Sequence, residues 1–190
     1  MRKNFWVICV IVLFAISGCG GKVTSFQEDA FSDEDKCIVS IQDSKTLCYG
    51  DSRADIEAIF QDSGDSGHPL VMYNSGVRVA YRGDVAVGFQ LFEGSEELYQ
   101  TARGARVGMS KAEVMNLYGH KYAHEATPNN LDYAYDMEMG KFIEKMQVFS
   151  VEVQEKREQI FLIYGMFDGN NGGAASQIGL IDQKMAIFLE

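Results

Sequence analysis

At 190 residues, with 46% hydrophobic, 12% aromatic and 23% charged side chains, the chain has the composition of one or two small globular domains, not of a disordered polymer. Its 17 Lys and Arg against 27 Asp and Glu leave a net charge of −10. That is the wrong sign for a phosphate-binding surface and argues against nucleic acid as a ligand.

Arg2 and Lys3 precede an apolar run over 5–16 and the small residues Ser17 and Gly18. A basic start, a short apolar core and a small-residue end describe an export signal, and the run is shorter than the roughly 20 residues of a transmembrane helix. Ile16-Ser17-Gly18-Cys19 resembles the lipobox of bacterial lipoproteins. The resemblance implies cleavage after Gly18, a lipid on Cys19, and residence at the cell membrane or outer membrane on the extracytoplasmic face. Burial of acyl chains at about 0.8 kcal/mol per CH₂ gives a stable hold once more than one chain is attached. Residues 1–18 carry two basic side chains and no acid, so their loss moves the net charge from −10 to −12. Such a surface repels anionic headgroups and leaves the lipid as the only anchor.

Cys9 belongs to the signal, which leaves Cys37 and Cys48. An even pair in an oxidising compartment is expected to form a disulfide, worth roughly 3 kcal/mol in the loop-entropy model. Two free thiols or half a metal site are the alternatives; no CxxC and no nearby histidine pair supports them. Residues 19–36 hold the lipid site followed by Gly, Ser and a cluster of acids, which predicts an extended tether. Folded structure is expected from about Cys37, with a strand over 37–42.

An internal repeat follows. Gly50-Asp51-Ser52-Arg53-Ala54-Asp55-Ile56-Glu57-Ala58-Ile59-Phe60 aligns without a gap on Gly108-Met109-Ser110-Lys111-Ala112-Glu113-Val114-Met115-Asn116-Leu117-Tyr118, at an offset of 58. Ser52 and Ser110 stand as N-caps, with Asp55 and Glu113 as capping-box partners three residues on, Glu having the better reach. Ile56, Ile59, Phe60 and Val114, Leu117, Tyr118 each form one apolar helical stripe. Gly119 suits the end of the second helix. Helices this short need a sheet to lie on.

After the first helix, Val77-Arg78-Val79-Ala80-Tyr81 alternates, Gly83-Asp84 turns, and 85–92 returns. After the second, Tyr133, Tyr135, Met137 and Met139 share one face at period 2, as do Phe149, Val151 and Val153. Residues 160–167 form an apolar strand, and strands near 175–181 and 185–190 finish the sheet. Phe92-Glu93-Gly94 and Phe167-Asp168-Gly169 read as one corner used twice, and 140–157 as an insert in the second unit. The predicted fold is therefore α+β: two tandem units, 37–107 and 108–190, each a short helix packed on an antiparallel β-meander.

The repeated Gly-x-Ser-x-x-(Asp/Glu)-(Ile/Val)-x-x-(Ile/Leu)-(Phe/Tyr) segment, followed by strands with aromatic residues, resembles a superfamily. It contains the tandem-repeat β-lactamase inhibitor protein and small outer-membrane assembly lipoproteins of the SmpA/OmlA type. The resemblance covers about 37–190. It departs from the family after Gly119, where His120-Lys121 follows in place of the x-Pro of many relatives, and at Gln61, which replaces that Gly in the first copy. It implies an extracytoplasmic, non-catalytic, protein-binding class and carries over no site residue, because none lies in the shared motif.

Other motifs have plainer readings. His120 and His124 could share a helix face as metal ligands, but Gly119 is expected to end that helix first. Asp168-Gly169-Asn170-Asn171-Gly172-Gly173 lacks the acidic twelfth ligand of a calcium loop. Arg82-Gly83-Asp84 reads as a hairpin turn. With His68, His120 and His124 the only histidines, no Ser/His/acid triad emerges. A carboxylate-pair hydrolase is the enzymatic alternative; no enzyme activity, cofactor or metal is expected.

Tyr81, Phe89, Phe92, Tyr133, Tyr135, Phe149, Phe161 and Tyr164 lie on predicted strands, most of them in the core. Any that stand on an open sheet face would form a recognition surface, and Tyr133 and Tyr135 are the named candidates, both in or both out. The expected function is a monomeric, lipid-anchored binding module for another envelope or secreted protein, as inhibitor, adaptor or assembly factor. A lipid-anchored solute- or cation-binding protein is the alternative.

Overall fold

Two serine caps start the two principal helices. In a computed structural model, which describes residues 26–61, 69–144, 157–169 and 173–186, α1 spans Arg53–Phe60 and α2 spans Lys111–Tyr118. The Ser52 side chain accepts from the Asp55 N–H, and the Ser110 side chain from the Glu113 N–H. Of the two, only Glu113 also reaches back to the N–H of its cap, at 2.8 Å, completing a capping box; Asp55 instead accepts from the Ser52 hydroxyl at 2.6 Å. Gln61, at φ 52°, ends α1, and Gly119, at φ 99°, ends α2. A Cβ at Gly119 would meet Asp29 at 2.3 Å, so glycine is required there by space as well as by φ.

The strands are β1 (Cys37–Ser40), β2 (Thr46–Cys48), β3 (Leu70–Met72), β4 (Val77–Arg82), β5 (Val85–Leu91), β6 (Tyr99–Thr101), β7 (Asn130–Asp136), β8 (Lys141–Phe142), β9 (Ile160–Asp168) and β10 (Ala174–Asp182). All pairings are antiparallel. One sheet has the order β2-β1-β6; the other has seven strands in the order β3-β4-β5-β10-β9-β7-β8. The fold is thus α+β, as expected. Strands β3, β4 and β5, after α1, occupy one half of the large sheet, the strands that follow α2 the other half, and the halves join between β5 and β10.

The inner face of the large sheet carries Val77, Val79, Phe89, Leu91, Leu131, Tyr133, Phe161, Ile163, Ile178 and Leu180. Ile56 of α1, Val114 and Tyr118 of α2, and Ile38, Leu47 and Tyr99 of the small sheet bury against it. Cys37 and Cys48 stand opposite each other in β1 and β2 and form the expected disulfide. A single-turn helix, α3 (Gln183–Ala186), follows β10 and packs Met185 onto Ala80, Val87 and Ile181 on the other face. Arg82, at the hairpin between β4 and β5, bonds Asp182 at 2.7 Å, so the Arg82-Gly83-Asp84 turn is tied to the fold.

Several expectations are corrected. The acidic tether does not run to residue 36: a 3₁₀ turn forms over Asp33–Lys36, Asp35 is buried, and Phe31 stacks on Tyr135 with ring centroids 3.8 Å apart. The physical reason is Arg103, whose guanidinium binds both Asp35 oxygens (2.5 and 2.7 Å) and the carbonyls of Gln27 (2.8 Å), Leu117 (3.0 Å) and Ala30. Met137 and Met139 lie past the end of β7. Residues 183–186 are helical because the Asp182 carboxylate accepts from the Met185 N–H at 2.9 Å. The two Phe-acid-Gly corners are not equivalent, since Phe92 follows β5 whereas Phe167 and Asp168 end β9, before β10. The signal, Cys19, the predicted strand at 149–153 and His68 lie outside the described residues.

Removing Arg103 would strand a buried carboxylate and three carbonyls. Arg103→Ala is expected to cost about 3–5 kcal/mol, read as a lower urea midpoint, with new protease cleavage within 26–36 before global unfolding. Unchanged stability would refute the central role given to this residue.

Candidate functional site

Because side chains alternate along a strand, each register-aligned row crosses the sheet on one face. On the outer face one row runs through every strand of the large sheet except β8. Met72 of β3 pairs with Arg78 of β4, Arg78 with Gln90 of β5, and Gln90 with Gly179 of β10. Gly179 pairs with Tyr164 of β9, Tyr164 with Asp132 of β7, and Asp132 with His124 through an isolated bridge. Seven positions at the interstrand spacing span about 29 Å.

The middle of the row is built around a missing side chain. Tyr164 lies across Gly179, where a Cβ would come within 2.1 Å of its ring. Passing over that gap, its hydroxyl accepts from the side-chain amides of Gln90 and of Gln177, the latter at 2.5 Å. Gln90 is buried and its carbonyl oxygen accepts from Arg78 at 3.4 Å. The Arg78 guanidinium sits 4.6 Å from the centre of the Phe92 ring. These bonds fix the orientation of an arginine, two amides and a tyrosine on a flat floor. Burial raises the Tyr164 hydroxyl above its ordinary pKa, against the two amide bonds that favour the anion, so it is a neutral phenol at physiological pH.

The rim is apolar at two points, Met72 at 46% and Met166 at 44% exposure, among the largest exposed hydrophobic side chains described. The neighbouring row of Ala80, Ile181 and Leu162 is covered by α3, and Ala134 and Ile160 pack with Ile143. In the Arg78–Tyr164 row Gln90 and Gly179 are buried, Arg78 and Tyr164 are half-buried, and Tyr164 also packs against the cluster under α3.

At the far end, Asp132 accepts from Asn130 at 2.5 Å, and its backbone exchanges two 2.8 Å hydrogen bonds with His124. Burial pushes the Asp132 carboxyl up to about 6; the His124 charge, the Asn130 bond and Lys111 pull the other way. His120 Nε2 lies 3.3 Å from Asn116 Oδ1. Among the described residues no group of three or more His, Cys, Asp or Glu side chains is arranged to hold a metal.

Tyr133 and Tyr135 share a face, as expected, but it is the inner one. Tyr133 is 1% exposed, and its hydroxyl donates to the Gly119 carbonyl at 2.7 Å. Tyr135 is half-buried under Phe31, at a shallow cleft of about 350 Å³ shared with Ser32, Asp33, Lys36 and Met137. The two differ because Tyr133 lies under α2, whereas Tyr135 lies beyond the end of that helix. Tyr164 is the strand tyrosine that stands on the outer face. Parity was the available signal: in 160–167 it falls out of phase with Phe161, Ile163 and Phe167. The strand is apolar on both faces, however, so phase alone does not say which side is open. Arg78 and Gln90 carried a clearer mark, as polar side chains within otherwise apolar strands.

No protein-family model matches the chain, and comparison with curated proteins and with solved structures finds no match to it.

A carboxyl with a higher pKa folded than unfolded binds more protons when folded, so Asp132 costs stability as pH rises from about 4 to about 6. The loss amounts to at most about 3 kcal/mol above that window. Asp132→Asn is expected to be more stable than the parent at pH 7.5 in urea titrations, with the difference vanishing near pH 4. A pH-independent difference would contradict the assignment.

Proposed function

We propose that the protein is a lipoprotein, acylated at Cys19 and held on the extracytoplasmic face of a cell membrane or outer membrane. In this reading two tandem helix-plus-meander units present the outer face of a shared sheet as a non-catalytic binding surface. The partner is another envelope or secreted protein. The observation that carries the reading is the hydrogen-bonded row from Met72 to Asp132, exposed at Met72 and half-buried at Arg78, Tyr164 and Asp132. Its side chains are oriented in advance by their own hydrogen bonds, which lowers the entropy lost on binding. A tyrosine, an arginine and two exposed methionines are the residue types that protein interfaces favour.

The tandem arrangement is supported by matched contacts in the two halves. The Gly50 N–H donates to the Ala86 carbonyl (2.9 Å) and the Ala86 N–H to the Asp51 carbonyl (2.9 Å). In the other half, the Gly108 N–H donates to Ala175 (2.8 Å) and the Ala175 N–H to Met109 (2.7 Å). The next residue is a bulge in both strands, Val87 in β5 and Ser176 in β10. Phe60 stacks on Tyr73 at 4.3 Å, and Tyr118 faces Tyr133 at 5.5 Å. On this reading the units run over 50–91 and 108–182, and β1, β2 and β6 lie outside them. The Gly-x-Ser segments, which resemble those of the inhibitor and assembly-lipoprotein superfamily, are the parts that dock each helix on the last strand of its own unit.

The test is cross-linking of the full lipidated protein in its own cells, followed by mass spectrometry, with Gly179→Ala and Arg78→Ala as surface variants. Gly179→Ala displaces the Tyr164 ring. One enriched protein, lost at least tenfold in both variants while their melting profiles stay cooperative, is the expected result. Cys19→Ala is expected to leave the membrane fraction. A partner indifferent to both variants, or none above background, would overturn the binding surface; a ligand screen by thermal shift would then test the solute- or cation-binding alternative. Membrane retention of Cys19→Ala would overturn the anchor.

A further inference from the structure

The described chain begins on the helix side of the sheet. The carbonyls of Gln27 and Ala30 accept from Arg103, and the Phe26 ring lies 5.0 Å from its guanidinium carbon. The Asp29 N–H donates to the Tyr118 carbonyl at 3.0 Å, and its carboxylate accepts from the Lys121 N–H at 2.9 Å. Phe31 then packs on Tyr135 and Phe161, both inner-face residues. The segment is therefore fastened at the C-terminal end of α2, on the side of the sheet away from Tyr164. From Cys19 to Phe26 is a step of seven residues in the sequence, and seven peptide units span at most about 25 Å. A folded chain of this size is about 40 Å across.

From these lengths, and resting on lipidation of Cys19, we infer that the domain stands with its helix side toward the membrane and the outer face of its sheet toward the aqueous space, where it takes a water-soluble protein. A strap of 25 Å is too short to pass from the Arg103 clamp round a body of that width. The face bearing Arg78, Tyr164 and Met166 is thereby held off the bilayer. The net charge of −12 that remains after signal removal opposes close approach of any face to an anionic surface. A membrane-embedded partner would need the opposite orientation.

The experiment uses the full lipidated chain in vesicles of phosphatidylethanolamine and phosphatidylglycerol that contain a headgroup nitroxide lipid. A fluorophore is attached to a cysteine introduced at either Glu28→Cys, on the clamp side, or Met166→Cys, on the outer face. Both starting side chains are exposed. Quenching is expected to be several-fold stronger at position 28 than at 166; equal quenching, or stronger quenching at 166, overturns the orientation. Failure of the protein to float with the vesicles is a separate result that refutes the lipid reading. A photo-cross-linker at position 166 in cells is expected to capture a protein that fractionates as water-soluble when not cross-linked. Capture of lipid, of a membrane-embedded protein or of a second copy of this chain, or no capture, overturns the choice of partner.

Discussion

Arg103 uses its whole hydrogen-bonding capacity in one place. A guanidinium has five N–H donors, and all five are met: two by Asp35 and one each by the carbonyls of Gln27, Ala30 and Leu117. The side chains of Arg103 and Asp35 are 2% and 0% exposed, a burial that would be prohibitive for either charge alone. Paired, they join the entering chain, the 3₁₀ turn, the end of α2 and the loop after β6. Lysine, with three donors on a point charge, could not replace it. The stack of Phe31 on Tyr135 and the closeness of Asp29 to Gly119 both depend on this anchorage.

The parts legible in the sequence were those in which neighbours in the chain are also partners in space. The two Ser caps, the apolar stripes behind them, the glycine after α2, the hairpin at Gly83 and the strands at 77–82, 85–91, 160–168 and 174–182 all rest on local patterns. The disulfide was legible because only one pair of cysteines remained. Arg103 was invisible for the opposite reason: Asp35 lies 68 residues away, and nothing in the Ala102-Arg103-Gly104 turn marks that arginine as buried. The three-residue strands β2, β3 and β6 are too short for alternation to show, and their hydrogen bonds are settled by tertiary contact.

The candidate surface was legible in kind but not in address. An open face bearing a strand tyrosine was expected, but Tyr133 and Tyr135 are on the other side. What separates them from Tyr164 is the ordering of the strands. Tyr164 matters because Gly179 lies beside it with Gln90 beyond, and that adjacency exists only once β9, β10 and β5 are neighbours. The central glycine allows one aromatic ring to bridge three strands, so the polar groups of both halves of the sheet are joined through a single hydroxyl.

The pairing of β5 with β10 also closes two sheet edges at once. Gln90 and Gly179 face each other at the seam, with Phe89 opposite Leu180 and Leu91 opposite Ile178, so the register is near-symmetric about that central pair. Either half, taken alone, would expose the full edge of its last strand, a template for another chain. Two copies of one half could satisfy each other there about a two-fold axis. Within one polypeptide the contact between the halves is intramolecular and so independent of protein concentration. The central row has an arginine and a glutamine on one side of the seam and a tyrosine and an acid on the other.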